Sequence, residues 1–128
     1  MSDDNAAIVR RIYERGFNSG DEAVYDELYT DDFVHHDKTI FDIPAGAPGE
    51  KESMRRFRRA IPDIHFDIQR QIAHGDLVIN HLRITGTQVE AFGPMEPTGE
   101  PLDYEAVAVF RLAGGLVAEE WFITSGHE

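Results

Sequence analysis

The chain has no cysteine, only two lysines, a single tryptophan, and no apolar run near the roughly 18 residues that a membrane-spanning helix needs. Without thiols there is no disulfide framework, no thiolate metal site and no cysteine nucleophile. Positive charge is also scarce: 24 acidic residues against 12 basic ones leave a net charge of −12. Such a surface repels phosphate backbones and anionic lipid, so neither nucleic acid nor a membrane surface is an expected partner. The one basic cluster, RRFRR, carries Arg55, Arg56, Arg58 and Arg59. It reads as a solvated helix face offsetting acidic neighbours, ahead of an anion or partner site. No G-x-S-x-G elbow surrounds Ser19, Ser53 or Ser125, and no glycine-rich loop opens a helix for phosphates. The opening MSDDNAAIVRR lacks the positive and apolar regions of a signal peptide, and a soluble, cytoplasmic protein is the expectation.

What remains is an ordinary globular composition, 41% hydrophobic over 128 residues, which suits one domain spanning 1–128. Ile8, Val9, Ile12, Tyr13 and Phe17 form an apolar stripe that predicts a helix from about Asp3 to Phe17. A short second helix carries Val24, Tyr25 and Leu28. FVHHD (33–37) reads as a short extended piece, and IFDIPAGAPGE (40–50), rich in Gly and Pro, as a loop. Met54, Phe57 and Ile61 give a third helix its buried side, and Pro62 ends it. Beyond Pro62 the period changes to two: Ile64, Phe66 and Ile68 alternate with His65, Asp67 and Gln69. AHGD and AGG mark hairpin turns, with strands over Leu77 to about Val89, Leu102 to Leu112 and Leu116 to Thr124. Helices followed by consecutive antiparallel strands describe an α+β fold, three helices packed on a curved antiparallel sheet. A curved sheet of this kind is a cone or half-barrel, whose inside is the natural place for a small-molecule site.

The order of FNSGD, DDFVHHD, AIPD, HGD before a long strand, ITGTQ, FGPMEPTGEPL and VFRLAGGLVAEEW resembles the SnoaL-like polyketide cyclase family. That family lies within the nuclear transport factor 2-like superfamily, and the resemblance covers about Ile8 to Ser125. It implies an α+β cone, a homodimer, an enclosed apolar pocket for a small hydrophobic or aromatic ligand, and acid–base chemistry without a cofactor. The superfamily also holds isomerases, epoxide hydrolases and members with no known reaction, so the fold alone does not fix the activity.

In an extended FVHHD, Phe33, His35 and Asp37 share one face and His36 opposes them. Asp37 is the expected base and His35 its orienting or polarising neighbour, since a desolvated carboxylate suits proton abstraction. Glu105 is a further candidate carboxylate. His81 and Asn80 lie on alternate faces of one strand, so either could enter the cone and stabilise an enolate. Trp121, Tyr104 and Phe92 are candidate apolar walls, and Ser125 is a further candidate ligand-binding residue. Relatives often carry Asp at the position of Ser125, His near Glu105 and Asp near Ala108; Glu105 could replace a lost acid–base residue or face solvent, whereas Ser125 and Ala108 favour a rival reading. In it the chain is a non-catalytic binding or dimeric interaction protein; an epoxide hydrolase-like enzyme is the other alternative. No metal is expected, because adjacent strand histidines diverge and further ligands would come only from distant residues such as His81 or Glu105.

Overall fold

A computed structural model describes residues 2–36, 44–92 and 95–124. The first helix, α1 (Ser2–Arg11), passes without a break into a π-helical stretch, Ile12–Phe17. Its apolar positions fall in two rows spaced by four, Ile8–Ile12–Gly16 and Val9–Tyr13–Phe17. On an α-helix such rows drift by about 40° per turn. Widening the last turns, marked by the bond from Asn18 N to Tyr13 O, brings Tyr13, Gly16 and Phe17 back onto the buried face. The helix end is tied down twice. Arg58 donates to the carbonyls of Phe17 and Asn18, and the Asn18 side chain exchanges two hydrogen bonds with the Phe66 backbone.

Helix α2 (Ala23–Leu28) runs directly into strand β1 (Tyr29–His35), and α3 spans Gly46–Ala60. The segment expected to be a loop over 40–50 is therefore helical from Gly46 on, while 40–43 lie outside the described residues. The strands β2 (His65–His74), β3 (Leu77–Thr87), β4 (Pro101–Ala113) and β5 (Leu116–Thr124) form consecutive antiparallel pairs. The hairpin glycines Gly75, Gly114 and Gly115 take the positive φ that tight turns need.

One pairing is not local. β1 adds to β5 in parallel, so the sheet is mixed, with order β1-β5-β4-β3-β2, and is not closed. It curves around the helices and buries a core of Val9, Ile12, Tyr13, Val24, Tyr25, Met54, Phe66, Leu82 and Phe110. At Gly86 (φ 150°) β3 passes the end of α3 so closely that a Cβ would stand 2.5 Å from Ile61 Cγ2. Glycine is required there.

Every member of the basic cluster is engaged within the chain. Arg55 meets Glu22 and Glu52, Arg56 meets Glu52, Arg58 holds the carbonyls above, and Arg59 meets Glu90.

Candidate functional site

Alternation sorts the sheet into two chemically distinct faces. On the inner face one register row runs Val78, Phe110, Glu120, His35 across β3, β4, β5 and β1. On the outer face the corresponding row is Ile72, Ile79, Val109, Trp121. The polarity of that inner row is unusual, since it places a carboxylate and an imidazole against the core.

Glu120 is 6% exposed, and its carboxylate stands 3.7 Å from His35 Nε2. Glu50, on the first turns of α3, is 4% exposed and projects to the same place. Ligand atoms of His35, Glu50 and Glu120 all lie within 4.8 Å of one another. Around them stand three buried phenols. Tyr13, Tyr25 and Tyr29, together with the Thr30 hydroxyl, have buried oxygens with no hydrogen-bond partner among the described residues. Burial pushes all three phenols well above their usual range, and the charges of Glu50 and Glu120 push them further. The carboxylates therefore act electrostatically on every one of these hydroxyls.

Local structure explains the arrangement. The π-helical stretch carries Tyr13, which packs against Phe66 and edge-on to Phe110. Gly16 lies in the same stretch, and a Cβ there would stand 2.6 Å from the Tyr25 hydroxyl, so its lack of a side chain leaves room for that phenol. An open cleft of about 340 Å³ is bounded by Tyr25, Tyr29, Thr30, Asp31, Ala47 and Pro48. Tyr25, Tyr29 and Thr30 are among the residues that line this cleft.

Of the residues expected from the sequence, His35 reaches this interior, with Phe33 buried beside it and His36 on the opposite face. Asn80 is fully buried on the inner face, where it donates to Ala108 O and accepts from Gln71. Tyr104 is half-buried, and burial raises its phenol. Phe92 is buried against Phe57, ring centroids 4.1 Å apart. Three others lie outside the cone. His81 sits on the outer face between Arg70 and Glu105, and Glu105 is exposed there. With Arg70 donating to Nδ1, the His81 ring proton is on Nε2 and goes to Glu105. Trp121 stacks on His36 at 4.7 Å, also on the outer face. Asp37 and Ser125 lie outside the described residues.

Glu50 and Glu120 are what sequence reasoning missed. Glu50 stands four and seven residues before Met54 and Phe57, on the stripe that already defined the buried face of α3.

Helices on the concave face of an open, five-stranded mixed sheet, with a polar group set in the interior, define a nuclear transport factor 2-like cone. The sequence profile of the SnoaL-like polyketide cyclases matches residues 7–125, and the chain belongs to that family. Among curated proteins no sequence matches. Similar solved structures include a candidate SnoaL-like polyketide cyclase from Jannaschia sp. CCS1. It is 24% identical with a TM-score of 0.82, over 97% of this chain and 87% of that one. IdmH from Streptomyces antibioticus, a candidate polyketide cyclase, is 28% identical with a TM-score of 0.78, over 94% and 91%. AclR from Streptomyces galilaeus, a candidate hydroxylase, is 21% identical with a TM-score of 0.78, over 98% and 91%. Neighbours with different names thus share one fold.

Proposed function

We propose that this protein binds a small apolar or aromatic carbonyl compound inside the cone and moves protons on it without a cofactor, as in an aldol-type ring closure. The observation that carries this reading is the buried group of His35, Glu50 and Glu120 facing three phenols without partners. A carboxylate in a dry site is a base for a C–H next to a carbonyl, and the enolate so formed needs hydrogen-bond donors at its oxygen. The phenols of Tyr13, Tyr25 and Tyr29 are such donors. Glu120 takes the proton, with His35 beside it to orient the carboxylate and share the charge. Phe92 and Tyr104 supply apolar wall. Asp37, two residues beyond His35, remains a second candidate base.

The outer face supports a homodimer. Ile72, Ile79, Val109 and Trp121 form an apolar ribbon straight across four strands, and Ile72 and Ile79 are exposed. Exposed Ile123 and Val34 extend it, and a second copy laid on this face would bury the patch. The test of the proton-transfer reading is deuterium uptake at the α-carbon of small aromatic β-keto esters, wild type against Glu120→Gln. Uptake at the buffer rate in the wild type, over a panel of such esters, would count against it.

A further inference from the structure

The same three side chains fit a second occupant, for reasons of geometry that need no turnover. We propose that His35, Glu50 and Glu120 form a binding site for a divalent transition cation, of the Zn²⁺ or Mn²⁺ class, in the interior of the cone. They come from three separate elements, the end of β1, the first turns of α3 and the middle of β5, so backbone packing holds them in place. Metal bonds of about 2.0–2.2 Å put tetrahedral ligand atoms roughly 3.3–3.6 Å apart. His35 Nε2 and Glu120 Oε2 are at 3.7 Å already, and all three ligand atoms lie within 4.8 Å.

Chemistry narrows the cation. One imidazole with two carboxylates suits borderline divalent metals, whereas Mg²⁺ and Ca²⁺ prefer oxygen alone. A separate observation points the same way. The hydroxyls of Tyr13, Tyr25 and Tyr29 are at least nine-tenths buried and without partners among the described residues, and Glu50 and Glu120 act electrostatically on each. Three protein ligands leave coordination positions for water, and a hydrated cation would give these hydroxyls partners.

The full chain, stripped with chelator, is titrated with Co²⁺ by visible absorption and with Mn²⁺ by electron paramagnetic resonance. The expected result is one cation per chain, with affinity at least tenfold weaker in Glu50→Gln and in Glu120→Gln. His81→Gln, which breaks the other His–Glu pair on the outer face, should leave uptake unchanged. Failure of the wild type to take up one equivalent overturns the proposal. So does uptake that survives the double Glu50→Gln, Glu120→Gln variant, or that is lost in His81→Gln. Deuterium uptake by chelated protein is scored separately. Exchange without cation binding leaves the proton-transfer reading standing, and cation binding without exchange leaves this site standing.

Discussion

Replacing a buried tyrosine with phenylalanine ordinarily destabilises a protein, because the hydroxyl has a partner. Here the opposite is expected. The hydroxyls of Tyr13, Tyr25 and Tyr29 are buried without hydrogen-bond partners among the described residues. A buried polar group left in that state costs about 1–3 kcal/mol. Taking the lower end, each Tyr→Phe change should add about 1 kcal/mol. Unfolding entropy of about 2.1 cal/mol/K per residue gives roughly 270 cal/mol/K for 128 residues. One kcal/mol then raises Tm by about 4 °C. The three rings are neighbours, Tyr25 and Tyr29 at 5.6 Å, so the triple variant need not reach the sum. It should gain between about 4 and 12 °C on the same scale. Scanning calorimetry on the ligand-free protein measures this directly. A fall in Tm for any single variant would show that its hydroxyl holds the fold together, and would remove it from the proposed donor set. A rise in Tm with loss of deuterium uptake would mark groups kept for function at a cost in stability.

Alkaline stability follows from the same phenols. Folded Tyr13, Tyr25, Tyr29 and Tyr104 all ionise above their ordinary value near 10, chiefly through burial. The folded state therefore keeps protons that the unfolded chain gives up, and stability should fall as pH rises past about 10. Phenolate absorbance should appear together with loss of far-ultraviolet circular dichroism, not before it. Gly16→Ala should cost about 1–3 kcal/mol by urea unfolding, because its Cβ meets the Tyr25 hydroxyl at 2.6 Å. Adding Tyr25→Phe should recover part of that loss, and no recovery would mean the clash lies elsewhere. Val109→Arg, in the middle of the outer apolar ribbon, should convert the proposed dimer to monomer in sedimentation velocity, while a dimer unchanged by it would place the interface on another face and a monomeric wild type would remove the dimer.

The fold was largely legible because its signals are local. Two-residue alternation in HFDI and LVINHLRI, turn glycines in HGD and AGG, and the apolar stripe before NSGD each specify an element by themselves. The parallel docking of β1 on β5 was not, since no local pattern encodes a pairing between residues 29–35 and 117–120. The candidate site was only half legible, and the bulge on β5 shows why. Counting by twos from inward-facing Val117 would place Glu119, Trp121 and Ile123 inside. One extra residue, Ala118, opposite the Arg111–Leu112 step reverses the parity. Trp121 turns out onto His36, and Glu120 turns in towards His35. Glu50 escaped for another reason: the Gly and Pro of AGAPGE mask a helix start, because Pro48 falls in the first turn where its missing N–H does no harm.

Deuterium exchange tests the central claim, that His35, Glu50, Glu120 and the phenols form a proton-transfer site, more directly than any other measurement. Small aromatic β-keto esters in D₂O are followed by proton NMR with wild type, Glu120→Gln and His81→Gln. General base catalysis supplies about 10²–10⁴-fold. The expected result is accelerated exchange in wild type and in His81→Gln, falling at least about a hundredfold in Glu120→Gln. Exchange of equal rate in wild type and Glu120→Gln would contradict it.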